Sequence, residues 1–205
     1  MGAENAAAFI HKIREFSRAE VIKVNPDAPQ SHVRRIVLEQ GKRLIMPTPR
    51  ISSGFLLLEP KQIPRQLVRR AVSIAGAFKL ARSIPLSELP PVDFIVAGSV
   101  AVSKEGARIG KGEGYSELEY GVLREIGLVN EGTKIATTVH DCQILQPFQT
   151  EEHDLPVDYV LTPTRMIETR TPLPRPRGIY WEKVTADMLR KIPILQELHA
   201  MAHSK

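Results

Sequence analysis

The 205-residue sequence contains one cysteine, Cys142, so no disulfide framework can form within the chain and a cytoplasmic setting is the expectation. Aromatic residues make up only 5% of it, and no surface of interleaved aromatic and basic residues for stacking RNA bases is evident. Long apolar runs are missing too. The stretch 94–102 is interrupted by Gly98 and Ser99 and falls far short of the roughly 20 residues of a bilayer span, so no membrane helix is expected. The N-terminus lacks the basic, then apolar, then small-residue order of a secretory signal. Internal repeats and long low-complexity tracts are absent. What the chain does contain is 42% hydrophobic and 25% charged residues, enough for one substantial core and too apolar for disorder. The expectation is a single domain over 1–205, with a C-terminal helix at 185–205 appended.

Charge is uneven. Residues 1–90 hold 15 Lys+Arg against 7 Asp+Glu, whereas residues 91–205 hold 13 against 16. A basic half beside a mildly acidic half suits a polyanion such as a nucleotide, a polyglutamate tail or RNA, although charges scattered over a solvated surface give the same count. Arg65, Arg69 and Arg70 are the residues an RNA would use.

The apolar pattern alternates between strand and helix. Residues 20–25 (EVIKVN) read as a strand ending in the Asn25-Pro26-Asp27 turn, 31–41 as a short helix closed by Gly41, and 43–47 and 54–59 as further strands. Leu67, Val68, Ala71, Ile74, Ala75 and Phe78 mark one helix opened by Pro64. Residues 92–102, 134–139 and 159–161 have the continuous apolar character of strands buried on both faces, and 116–127 carries a helical period between them. Strand, helix, strand is the βαβ order, which predicts an α/β sandwich of three layers around a mainly parallel sheet. Residues 171–177 (TPLPRPR) should be an extended connector and 178–184 an edge strand. A last amphipathic helix should run through Ile194, Leu195, Leu198, Met201 and Ala202, with Pro193 starting or kinking it.

The most unusual stretch is 108–117, RIGKGEGYSE. Three glycines at alternate positions let backbone approach a ligand, the loop runs into a helix beginning near Ser116, and Lys111 adds a charge, so a phosphate cradle is one reading and a flexible hairpin the other. Ser116 and Glu119 have the S-x-x-E spacing of a capping box. Glu117, beside an anion site, would repel a phosphate unless a cation such as magnesium lay between them. His140, Asp141 and Cys142 alternate in direction along a strand end and cannot converge on a metal. His153 and Asp154 read as a turn, Tyr115 as core or ligand wall, and Trp181 as packing.

The run VDFIVAGSVAVSKEGARIGKGEGYSELEY at 92–120 resembles the signature of the 5-formyltetrahydrofolate cyclo-ligase (methenyltetrahydrofolate synthetase) family. In that family an apolar strand leads through Arg to a GxGxGYYD loop. The resemblance is strongest to the divergent branch of archaeal cyclo-ligase-like and methenyltetrahydrofolate synthetase domain-containing proteins. It is carried by VNPDAPQ (24–30), PTPR (47–50), GKGEGYSELEY (110–120), VHDCQ (139–143) and LTPTR (161–165).

The resemblance implies a NagB/ribose-phosphate isomerase/CoA-transferase type of fold. It also implies a ligase that uses ATP and Mg2+ to cyclise 5-formyltetrahydrofolate to 5,10-methenyltetrahydrofolate, with phosphoryl transfer making the formyl oxygen a leaving group that N10 displaces. By position it assigns Arg108 and Lys111 to catalysis. Gly110, Lys111, Gly112, Glu113, Gly114, Tyr115 and Ser116 fall to nucleotide binding, and Glu117 to the metal in place of the family's Asp. The partner it implies is 5-formyltetrahydrofolate or a related folate, with no DNA and no membrane. Ser116 departs from the second tyrosine of the motif, and Lys12 and Arg14 stand in for only part of the family's basic N-terminal helix. The alternative is therefore a catalytically diverged folate or nucleotide binder, or an RNA-binding protein, of the same fold.

Overall fold

The computed structural model describes residues 2–203. In chain order the elements begin with helices α1 (Ala3–Ala8) and α2 (Arg14–Arg18), strand β1 (Val21–Val24), helix α3 (Ser31–Glu39), strands β2 (Arg43–Pro47) and β3 (Phe55–Leu58), and helices α4 (Val68–Ala71) and α5 (Ile74–Leu80). Strands β4 (Arg82–Ile84), β5 (Phe94–Ala97), β6 (Ala101–Ser103) and β7 (Arg108–Ile109) follow, then helix α6 (Tyr115–Glu125). The remainder comprises strands β8 (Lys134–Thr138), β9 (Ile144–Leu145), β10 (Tyr159–Leu161) and β11 (Met166–Glu168), then helices α7 (Ala186–Lys191) and α8 (Pro193–His203).

Eight strands form one sheet in the order β11-β10-β8-β5-β1-β2-β3-β4. The five inner strands from β10 to β2 run parallel, and β11, β3 and β4 are antiparallel additions at the edges. Side chains alternate between two cores. Val21, Ile45, Ile95, Ile135 and Val160 pack toward α6 and α8, while Ile22, Leu44, Phe94, Ala136 and Leu161 pack toward α1 to α5. Both faces are covered, which is why these strands read as nearly continuous apolar runs. The α/β class and the mainly parallel sheet follow from this arrangement. A second, three-stranded sheet, β7-β6-β9, lies on the α6 side.

Four expectations from sequence are corrected. The run 92–102 is two strands in two sheets, because the chain turns away at Gly98, where a Cβ would lie 2.5 Å from Asp27 Oδ2. The single helix over 65–78 is broken at Ser73. Its extended backbone (φ −85°, ψ 155°) makes it the N-cap of α5, with Oγ accepting from the Gly76 amide at 3.0 Å. The chain folds back so tightly that a Cβ at Gly76 would sit 1.7 Å from the Arg70 carbonyl, and the turn leaves Ile74 and Phe78 exposed. Residues 178–184 form no strand; a 3-10 turn, Trp181–Lys183, occupies them, and β4 and β11 are the sheet's edges. The C-terminal helix is split at Ile192, where the backbone is extended ahead of Pro193, and Met201 is exposed rather than packed.

Candidate active site

β1 and β5 are parallel neighbours, yet the chain leaves β1 through α3 toward β2 on one side and β5 through α6 toward β8 on the other. Their C-terminal ends therefore diverge and open a crevice at a topological switch point, where open α/β sheets place ligands. Residues 25–30, 98–100 and 110–117 surround it. A cavity of about 580 Å³ there is lined by Asp27, Gln30, Arg50, Lys111 and Tyr115 among others. A second, of about 630 Å³, lies across the glycine loop and is lined by Arg108, Phe148, His153, Asp154, Tyr180 and Lys183 among others. Gly110, Glu113, Gly114 and Glu117 line both.

The loop is glycine-rich for conformational reasons. Gly112 and Gly114 have φ of +81° and +71°, and a Cβ on either would meet nothing within 4 Å, so backbone handedness and not space requires glycine. Gly114 is the N-cap of α6, and no side chain caps that end. The amides of its first turn thus begin a helix whose positive dipole end faces the cavities.

Arg108 lies fully buried beneath the loop. Its guanidinium donates to the Gly98 carbonyl (2.8 Å) and the Leu155 carbonyl (3.2 Å) and pairs with Glu117. Burial pushes its pKa down to about 10, against the opposing pull of Asp154, Glu119 and Asp27, so it stays charged at neutral pH. Lys111 reaches across the crevice to Asp27, with Nζ 2.5 Å from Oδ1, and that hydrogen bond raises its pKa. Glu113 meets Arg50 at 3.2 Å.

A polar chain joins β1 to α6 through the core. Lys23 on β1 pairs with Glu119 and donates to Asn25 Oδ1 (2.8 Å), and Asn25 Nδ2 donates to Ser116 Oγ (3.0 Å). Burial raises the pKa of Glu119, with the Lys23 ammonium opposing. The capping box expected of Ser116 and Glu119 is therefore not formed: α6 starts a residue before Ser116, and both side chains turn inward to β1. Arg34, also buried and with its pKa lowered to about 10 by burial, donates to the carbonyls of Val72 (2.8 Å), Asp27 (3.0 Å) and Asn25 and so fixes the 25–27 turn. Gln30 donates to Thr138 Oγ1 (2.9 Å), whereas its Oε1 is buried without a partner. A Cβ at Gly98 would lie 3.4 Å from that oxygen and 2.5 Å from Asp27 Oδ2, so two acceptors converge beside the first cavity.

Arg108, Gly110, Lys111, Gly112, Glu113, Gly114, Tyr115, Ser116 and Glu117 are thus gathered around one loop, with Lys111 and Glu117 paired to other residues and not to each other. Tyr115 is half-buried and serves both as core and as cavity wall. Lys23, Asn25, Asp27, Gln30, Arg34 and Arg50 receive no site role from sequence; the polar residues inside the strand EVIKVN and the VNPDAPQ and PTPR stretches are the signal for all of these but Arg34. His153 and Asp154 form the expected turn, in which the Glu151 amide donates to Asp154 Oδ2 (2.8 Å), and both also line the second cavity. In place of the strand end expected at 140–142, β8 stops at Thr138 and His140 caps a 3-10 turn at Asp141–Gln143, where Asp141 accepts from the hydroxyls of Thr162 (2.9 Å) and Thr164 (2.6 Å). Trp181 packs on the core. Arg65, Arg69 and Arg70 are exposed and line neither cavity. Among the described residues no helix is long and apolar enough to cross a membrane.

A sequence profile described as the 5-formyltetrahydrofolate cyclo-ligase family matches residues 1–163. The chain is 44% identical over 201 residues to the methenyltetrahydrofolate synthase domain-containing protein of Mus musculus, covering 96% of this chain and 54% of the mouse protein. It thus spans about half the length of the curated methenyltetrahydrofolate synthase domain-containing relatives it matches. It is 26% identical over 135 residues to the 5-formyltetrahydrofolate cyclo-ligase of Mycolicibacterium smegmatis, covering 64% of this chain and 65% of that protein. The solution structure of 5,10-methenyltetrahydrofolate synthetase from Aquifex aeolicus shares the fold, with a TM-score of 0.54 at 20% identity over 82% of this chain and 81% of that one.

Proposed function

The chain belongs to the 5-formyltetrahydrofolate cyclo-ligase family, a family of ligases, and from that premise we propose that it catalyses the ATP- and Mg2+-dependent closure of 5-formyltetrahydrofolate to 5,10-methenyltetrahydrofolate. The observation that carries this reading is the glycine loop at the start of α6, standing between two cavities with the buried Arg108–Glu117 pair beneath it. A reaction that joins a folate to a phosphoryl donor needs two compartments meeting at an anion-stabilising element.

The residues fit a magnesium nucleotide. Gly112 and Gly114 leave open space over the loop, the α6 amides and Lys111 are donors for phosphate oxygens, and Glu117, sharing its carboxylate with Arg108, and Asp154 across the second cavity would supply hard oxygens suited to magnesium. When bound, the nucleotide supplies the phosphoryl group that makes the formyl oxygen a leaving group. The chain's own residues position and neutralise. Arg108, fixed by two carbonyls, holds positive charge under the loop, and Lys111, paired with Asp27 here, would hold a phosphate oxygen. Asp27 and Gln30 Oε1 would then offer acceptors to the amino and ring N–H groups of a pterin in the first cavity. The aromatic rings and cations of the second cavity suit the nucleotide, whose terminal phosphate would cross the shared glycine loop to Lys111 at the first cavity. The single cysteine, Cys142, is exposed and free, in keeping with the cytoplasmic setting that we include in this reading.

The test is formation of the methenyl chromophore, followed by its near-ultraviolet absorbance, with ATP and Mg2+ each present or omitted. Product is expected only when both are present, and Lys111→Ala should raise the barrier by about 2–4 kcal/mol through lost stabilisation of transferring charge. No product from the unmodified chain would overturn the cyclo-ligase reading, and retained folate binding in that case would establish the diverged binder that Ser116, in place of the family tyrosine, makes the alternative.

A further inference from the structure

We propose, resting on that reading, that residues 178–188 build one wall of the nucleotide cavity and that Lys183 is a phosphate-binding residue, held by Glu151 until the nucleotide arrives. The family profile ends at residue 163, so this wall comes from the part of the chain beyond the matched segment.

The second cavity has the loop on one side, through Gly112, Glu113 and Gly114, and Tyr180, Lys183 and Met188 on the other. Among its lining residues the lysines and arginines are Arg108 and Lys183. Arg108 is already engaged by two carbonyls and by Glu117. Lys183 is the cation with freedom to move. Its Nζ lies 2.7 Å from Glu151 Oε2, and the two side chains are 53% and 64% exposed, so the pair is a solvated one that contributes little and exchanges readily for a phosphate. His153 Nδ1 stands 3.5 Å from the same carboxylate oxygen, which places a second nitrogen group at that rim. Tyr180 and His153 present rings 6.1 Å apart, and Phe148 lines the same cavity, giving flat surfaces for a base beside cations for its phosphates.

The wall does not depend on the Lys183–Glu151 contact to stay in place. The Ile179 amide donates to the Glu125 carboxylate at 3.2 Å, the Tyr180 hydroxyl donates to the Glu152 carbonyl at 3.1 Å, and Trp181 packs on the core with its ring 5.2 Å from that of His199. Backbone meets backbone as well, since a Cβ at Gly121 of α6 would lie 2.8 Å from the Gly178 carbonyl. Lys183 can therefore leave Glu151 while the segment keeps its seat.

Trp181 is the only tryptophan of the chain and shares a turn with Lys183, so its fluorescence offers a readout at that turn that needs no turnover. MgATP titrated into the full chain in the absence of folate should change its emission. Lys183→Ala should weaken that binding about tenfold and Lys183→Arg should restore most of it, as expected for one charge-assisted contact to phosphate. Glu151→Gln, which frees the ammonium and removes a repelling carboxylate, should tighten it. A purely structural latch would make Lys183→Ala and Glu151→Gln lose affinity alike, and that result overturns the proposal. So does unchanged MgATP affinity in Lys183→Ala, or a loss confined to 5-formyltetrahydrofolate binding. Methenyl product formed with no dependence of nucleotide binding on Lys183 would sink the wall and leave the cyclo-ligase reading standing, whereas Lys183-dependent nucleotide binding without product would do the reverse.

Discussion

Lys23 is the residue whose placement most constrains the site. It sits on the α6 face of β1, between Val21 and the end of the strand, and is as buried as its apolar neighbours. A charge there is tolerable only because Glu119 meets it and Asn25 takes another of its protons. Such a pair adds little over an apolar replacement, but removing one partner leaves the other charge unpaired in the core. Glu119→Gln and Lys23→Met should each destabilise the fold by about 3–5 kcal/mol, and the double variant Lys23→Met/Glu119→Leu should lose less than either. Urea unfolding of the three variants measures this as a coupling energy, and simple additivity would show that the pair does not act as a unit. The contact also shows what sequence could not disclose at this scale. Alternation in EVIKVN predicts β1, and nothing local reveals that Lys23 bonds a residue 96 positions away or that Lys111 bonds Asp27 84 positions away.

Elements were legible where a single period ran undisturbed. β2 and β10 occupy the residues that the apolar pattern marks, and α3 begins at Ser31 and is followed by Gly41 at φ +72°. The pattern failed where a close approach interrupts it, at Gly98 against Asp27 and at Gly76 against the Arg70 carbonyl, because an apolar run does not record the distance of a neighbouring backbone. The turn Asp141–Gln143 is another such element, held to the loop after β10 by Asp141. The Thr164 hydroxyl first, and that of Thr162 next, hold the Asp141 carboxyl below its usual 3.8. A lowered carboxyl contributes stability that is full above 3.8 and is lost as pH falls through the lower folded value. The NMR signals of Thr162 and Thr164 should accordingly titrate only below 3.8, and Asp141→Asn should abolish that titration. A midpoint at or above 3.8 would show that the hydroxyl contacts do not form in solution.

At the scale of the whole molecule, the α/β class follows from the alternation of apolar strands with helical periods, and the site is only half visible. The loop 110–114 is evident as a loop, but its two compartments depend on topology: one exists because α3 and α6 leave the sheet in opposite directions, the other because residues 176–188 return over α6. That return bears on how the chain holds together, and we propose that it folds as one cooperative unit with the C-terminal helices as a structural part. Ile192, Ile194, Leu195 and Leu198 are buried in the same core as α6 and the sheet, and a Cβ at Gly54 would meet Ile194 Cδ1 at 2.9 Å, so α8 is packed down onto the turn before β3. Each such side chain contributes about 1.5–3 kcal/mol when removed from water. The four together are comparable with the roughly 5–15 kcal/mol that a domain has in total. Removing residues 186–205 should therefore abolish the cooperative transition rather than leave a trimmed domain, and the intact chain should melt with calorimetric and van't Hoff enthalpies equal. Two resolved transitions in the intact chain, or a truncated chain that melts cooperatively, would show that the helices are an independent appendage to a core that is stable without them.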